Sequence, residues 1–178
     1  MTAEPVIRPA RDADPVAEVV RAAFGDEGDN VAGLWAEIAE SDLLLGSLVA
    51  ELDGEVVGHV GLSHAWVDAR RELVDVWVLS PLSVVPTRQG AGIGTRLVAA
   101  ALDAARAGGA PLLFLEGDPG YYGRLGFIAG ADLGFRRPSL RIPETSFQAL
   151  RLPAYEPWMT GTFVYPDVFW RHDAVGLR

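Results

Sequence analysis

The run Arg88-Gln89-Gly90-Ala91-Gly92-Ile93-Gly94-Thr95 stands between an apolar strand-like segment and an amphipathic helical one, the setting of an anion cradle. The first amides of a helix have no internal partners and lie at the positive end of its dipole, so they can bind phosphate oxygens. Glycine lets a ligand approach because it has no Cβ. A plain strand-to-helix turn uses the same residue types, so context decides between the two readings. A P-loop needs a lysine after its last glycine, and this chain contains no lysine. A dinucleotide fingerprint sets G-x-G-x-x-G directly behind its strand; here Pro86 to Gln89 intervene and Thr95 stands at the third glycine. Other chemistry is narrowed by absence. With no cysteine there is no thiolate metal ligand and no cysteinyl-acyl intermediate. His59 and His64 are five apart on one strand-like segment and face opposite sides, and His172 is isolated, so the sequence predicts no metal site.

The elements that must position this loop can be read from period and turn signals. Asp14-Pro15 predicts a capped helix carrying Val16, Val19, Val20, Ala23 and Phe24, stopped by Gly25. Asn30 predicts the cap of a second helix, with Val31, Leu34, Trp35 and Ile38 on its apolar face. Segments 43–52 and 55–67 are rich in strand formers, and Asp53-Gly54 between them suits a type I′ hairpin. A third strand, 73–85, contains Pro81, which cannot donate to a ladder and predicts a bulge or a splay. The helix after the cradle turns Ile93, Leu97, Val98, Ala101 and Leu102 inward and stops at Gly108-Gly109. LLFLE, 112–116, is a short strand; Asp118-Pro119 caps a brief helix closed by Gly126; FQALRL and GTFVY are strand-like.

The order Q-x-x-G-x-G, from Gln89 through Gly92 to Gly94, resembles the pyrophosphate motif of the GNAT superfamily of acyl-CoA-dependent N-acetyltransferases. The likeness extends to PLSVVPTRQGAGIGTRLVAAAL, similar to that family's strand, loop and helix for CoA, and to YYGRLGF, similar to its tyrosine and G-F block. It is similar to a bacterial subgroup with G-D-P-x-Y-Y before the G-F pair, and it follows the family's element order up to about Pro138. The resemblance implies an α+β fold across one domain, residues 1–178: a mixed twisted sheet flanked by helices, with a splayed central strand pair holding CoA. It implies that Leu82, Ser83 and Val84 pair with the pantetheine as an added strand. It further implies that amides of Gln89, Gly90, Ala91, Gly92, Ile93, Gly94 and Thr95 hold the pyrophosphate, with Arg88 and Arg96 as local cations. Tyr122 matches the tyrosine thought to protonate the departing thiolate, which leaves Tyr121 to packing. The family commonly has Asn on the strand before that tyrosine, where this chain has Glu116, Gly117 and Asp118. Glu116, at the end of its strand, is the first candidate for the base that takes the amine's proton, while Asp118 reads as an N-cap.

Composition bounds the partners. A chain of 178 residues that is 49% hydrophobic fits one domain, and a formal charge of -9 argues against a general nucleic-acid or anionic-membrane binder. The N-terminal stretch lacks the build of a signal peptide, so the expected location is cytoplasmic. The expected reaction is acetyl transfer from acetyl-CoA, without a metal, to a small-molecule or peptide amine. A non-catalytic CoA sensor or partner-docking module is the alternative, and a nucleotide-binding oxidoreductase fits the glycine spacing less well. The acidic loop of Asp26, Glu27 and Asp29 could attract a cationic amine. The aromatic tail, with Tyr155, Trp158, Phe163, Tyr165, Phe169 and Trp170, could wall a pocket or a homodimer contact, or simply pack the core.

Overall fold

The computed structural model describes residues 3–176. In chain order the elements are β1 (Val6–Pro9), α1 (Val16–Phe24), α2 (Gly28–Ala39), β2 (Leu44–Leu52), β3 (Glu55–Ala69), β4 (Leu73–Val84) and α3 (Ile93–Ala107). After these come β5 (Leu112–Glu116), α4 (Pro119–Tyr122), β6 (Ile128–Ala129), β7 (Phe147–Arg151), β8 (Gly161–Val164) and α5 (Asp167–Arg171). The fold is α+β with an open mixed sheet. Two compact units form: the chain up to Ser63 with Leu79–Ala104, and His64–Val78 with the chain from Ala105.

In the first unit β1, β2, β3 and the end of β4 are successive neighbours, with β1 to β3 antiparallel. The hairpin joining β2 and β3 turns at Asp53 (φ 53) and Gly54 (φ 81), the two left-handed residues a type I′ turn requires. Helices cover β3 at close range. Any Cβ on Gly61 would strike the Trp35 ring of α2, and one on Gly58 would come within 2.9 Å of Leu97 in α3. Residues three apart on a strand face opposite sides, so the two helices pack on opposite faces of β3. Burial then closes over Val19, Val20, Leu34, Ile38, Val60, Leu62 and Val98.

Two sequence expectations about helix starts are corrected here. Asp14 does not cap α1; Pro15 is the N-cap residue, with no side-chain cap bond. The Asp14 carboxylate accepts instead from the Arg8 guanidinium (2.7 and 2.9 Å) and from the Arg11 amide (2.6 Å). Charge-assisted bonds outcompete a neutral cap amide, and Arg8 holds this carboxyl well below the ordinary range. Nor does Asn30 cap α2: the acidic stretch winds into a 3-10 turn, Gly25–Glu27, that runs straight into the helix at Gly28.

In the second unit β8 pairs antiparallel with the end of β3, and β5 runs parallel to β4 at Trp77–Leu113 and Val78–Phe114. β7 pairs antiparallel with β5 from Leu112–Arg151 to Glu116–Phe147, and β6 adds to β7. An aromatic core fills this unit. Phe114 stacks on Phe147 (5.6 Å between centroids), meets Phe135 edge-on (5.0 Å) and touches Phe163 (4.7 Å). Tyr165 and Phe169 extend it. The aromatic tail foreseen in the sequence divides accordingly: Phe163, Tyr165 and Phe169 are core, while Trp170 is 42% exposed.

Candidate active site

Strand alternation prepares the β4 edge in the first unit. Val85 donates its amide to Val57 O at 2.9 Å, which turns that residue toward β3. Val84, one residue earlier, therefore turns its N–H to the opposite edge, where this unit has no strand beside it among the described residues. The Val84 carbonyl is taken by the Gln89 side-chain amide at 3.0 Å. Gln89 thus braces the loop with its side chain. Ser83 is buried, and its hydroxyl has no protein partner.

Gly90 (φ 77) and Gly92 (φ 81) then carry the loop through left-handed backbone that a side chain resists. A Cβ at either position would meet no atom within 4 Å, so these glycines answer to backbone turn and open surface, not to packing. Arg96 N–H bonds Gly92 O at 3.2 Å as the first helical bond of α3, which leaves the Ile93 and Gly94 amides ahead of the intrahelical ladder. The Ile93 side chain is buried and anchors the turn, while Arg88, Gly90, Ala91 and Thr95 are exposed. Arg96 is exposed and pairs with Glu4 at 3.0 Å. Residues 86–92 are thus an exposed loop that runs into the free Ile93 and Gly94 amides at the start of α3.

In the second unit Asp118 caps α4 as the sequence predicts, accepting from Gly120 N–H at 2.8 Å. One turn later Tyr122 lies over Gly117, where any Cβ would strike its ring. That contact accounts for the glycine in the Glu116-Gly117-Asp118 run. Tyr121 (4.9 Å) and Phe127 (5.8 Å) hold the ring edge-on, and Phe127 N–H closes on Tyr122 O at 3.2 Å. Burial foremost, and then Tyr121, pushes the Tyr122 phenol up from 10, so it stays protonated and keeps its O–H proton to donate near neutral pH.

Glu116 has other company. Tyr165 O–H donates to Oε2 at 2.8 Å and Gly176 N–H to Oε1 at 3.1 Å. Cross-strand pairing puts Glu116 on the face of Phe147, while Gly117, the next residue, turns to Tyr122. Both oxygens of the candidate base are therefore engaged on the face turned away from Tyr122. Burial raises the Glu116 pKa above 4.5, and Tyr165, Gly176 N–H and Arg141 draw it partly back. Sequence reasoning missed Tyr165 and Gly176 as partners because they lie 49 and 60 residues away. It also missed Gln148, buried, whose amide donates to Gly117 O at 3.1 Å and fixes the bend beneath Tyr122.

The histidines have separate partners. His59 is buried with Nε2 on Ser47 Oγ at 3.0 Å, and burial holds its pKa at about 3. His64 pairs with Asp75 at 2.8 Å. No group of three or more His, Cys, Asp or Glu among the described residues is placed to hold a metal ion.

Known proteins share the sequence profile and the fold. Residues 14–128 match the profile of the acetyltransferase (GNAT) family. The chain is 35% identical over 136 residues to the uncharacterized N-acetyltransferase YjhQ of Escherichia coli K12, covering 75% of this chain and 74% of that protein. It superposes with a TM-score of 0.84 on the GNAT family N-acetyltransferase YhbS from Escherichia coli in complex with CoA, at 28% identity, over 96% of this chain and 94% of that one. On a GNAT family acetyltransferase from Brucella melitensis in complex with acetyl-CoA the TM-score is 0.75, at 31% identity, over 94% of this chain and 99% of that one. By profile, by sequence relative and by fold, the chain belongs to the GNAT family of acetyltransferases.

Proposed function

We propose that this acetyltransferase moves an acetyl group from acetyl-CoA to a primary amine by direct attack in a ternary complex. The observation that carries the donor half is the Leu82–Thr95 surface: an outward Val84 amide, two glycines at positive φ, and helix amides ahead of the first α3 bond. Pantetheine pairs along the open β4 edge, and the pyrophosphate takes the loop amides. Arg88 and Arg96 supply charge; the exposed Arg96–Glu4 pair has little to lose by exchange.

The amine must arrive neutral, since deprotonating a group of pKa near 10.4 at pH 7 costs roughly 4 to 5 kcal/mol. Its lone pair attacks the thioester carbonyl, the Val84 N–H stabilises the developing oxyanion, and the C–S bond breaks. Tyr122 donates its phenolic proton to the sulfur, and the nitrogen gives up its own proton to water or a base. Glu116 is held by Tyr165 and Gly176 on the face turned away from Tyr122, so water is the acceptor we favour.

The test is thiol release from acetyl-CoA across a panel of primary amines, with the acetylated product identified by mass. Product N-acetylated on a panel amine is the expected result. Saturable CoA binding with no turnover on any amine would make the chain a CoA sensor instead.

A further inference from the structure

The second unit has a pocket of about 330 Å³ lined by Phe135, Arg136, Arg137, Leu140, Glu144 and Phe147. We infer that it binds a small carboxylate carrying an aromatic or branched apolar body, with Arg137 holding the carboxylate. This goes beyond acetyl transfer and does not depend on it. The pocket also lies wholly outside residues 14–128, the part that matches the family profile.

The floor is apolar and rigid. Phe135 and Phe147 are both 2% exposed and lock against Phe114, so the cavity is a face of the aromatic core. The wall is pinned by backbone: Arg136 N–H bonds Gly161 O at 2.9 Å and Phe163 N–H bonds Arg136 O at 3.0 Å. Leu140, also in the lining, is 89% exposed, an apolar side chain left in water that a bound apolar body would cover. The volume is at the lower end of the roughly 300–1,000 Å³ of small-molecule sites, which suits a body of about one ring.

Arg137 gives the pocket its charge preference. Nη1 pairs with Glu144 Oε1 at 2.9 Å, and the buried Nε has no protein acceptor. The pair is uneven: Arg137 is 23% exposed, Glu144 71%. A carboxylate on so exposed a side chain contributes little by holding its partner, so a ligand carboxylate can exchange for it and satisfy the planar guanidinium fork. With Arg136 beside it, the lining carries two cations against one anion, which favours an anionic ligand over a cationic one.

Calorimetry with 3-phenylpropionate, on the full chain without CoA, tests this directly, with phenethylamine as the cationic counterpart. Wild type should bind 3-phenylpropionate saturably and phenethylamine more weakly. Arg137→Gln should weaken 3-phenylpropionate at least about tenfold, the scale of a charged hydrogen bond. Glu144→Gln, at an exposed position that leaves the fold alone, should tighten it by removing the competing carboxylate. Leu140→Ser should weaken it with no change in melting temperature. No saturable binding by wild type, weaker binding in Glu144→Gln, or a preference for phenethylamine would each overturn the inference.

Discussion

Tyr122 sits where its chemistry and its packing can be separated. The ring is fixed by Gly117, Tyr121 and Phe127, and burial keeps the phenol protonated. Tyr122→Phe keeps the ring and removes the proton, so turnover should fall roughly a hundredfold while CoA affinity barely changes. Kinetics and melting on one sample decide it: normal turnover per folded molecule would remove Tyr122 as the acid. Glu116 calls for a different experiment. Its folded pKa lies above 4.5, so the folded state holds this proton more tightly than the unfolded chain does. Its contribution to stability is therefore greatest in acid and declines as pH rises from 4.5 through the folded value. Glu116→Gln cannot ionise, yet it offers an oxygen to Gly176 N–H and an amide to Tyr165. Its melting temperature should gain on wild type as pH rises above 4.5. A difference constant with pH would contradict that assignment, and a collapse of turnover with intact melting would restore Glu116 as the base. None of this was legible locally. The sequence places an acid at a strand end, but Tyr165 and Gly176 reach it only through tertiary folding.

At the scale of elements, what the sequence shows depends on how local the cause is. The β2–β3 hairpin was legible because Asp53-Gly54 alone sets its turn, and α3 because its apolar period is uninterrupted. β1 was not. It is a four-residue edge strand ending at Pro9, held by pairing with β2 and by Arg8 on Glu51, causes that no local pattern carries. β6, with two residues, and α5, with five, are likewise too short to show a period. The Asp14 misreading belongs here too: the cap signature was present, but Arg8 claimed the carboxylate. Helix-to-strand spacing gives a direct test. Gly61→Ala would drive a methyl into the Trp35 ring and within 2.7 Å of Ser80 O. Denaturant unfolding should show a loss of about 1–3 kcal/mol, the usual cost of overpacking, and an unchanged midpoint would contradict the close packing of α2 on β3. Buried His59 adds a pH limb to the same strand. Its pKa falls from 6.5 to about 3 on folding, so the unfolded chain takes up the proton first. Stability present above 6.5 is lost as pH drops toward 3, at up to about 1.4 kcal/mol per pH unit. His59→Gln should flatten that limb, and an acid limb of unchanged slope would assign it to other groups.

For the whole molecule, composition and motif told different parts of the story. A net charge of -9 argues against broad phosphate-tracking surfaces, yet the family reaction requires an anionic donor. Any attraction for such a donor must then be local, within a Debye length of about 10 Å. No helix among the described residues is long and apolar enough to cross a membrane. The turn from Gln89 to Gly94 was legible because the left-handed backbone at Gly90 and Gly92 leaves its mark in glycines, whereas contacts between distant segments leave no local mark. The pocket around Arg137 is lined from one stretch, residues 131–147, yet no spacing in the sequence announces it. The central claim, that the Leu82–Thr95 surface is the donor site, is tested most directly by titrating CoA into wild type and Gly92→Val. A valine at φ 81 strains the loop, but its Cβ would enter open space, so the fold should survive. The account predicts saturable binding by wild type and at least tenfold weaker binding by the variant, about 1.4 kcal/mol, with melting nearly unchanged. Equal affinity in a folded Gly92→Val variant would contradict it.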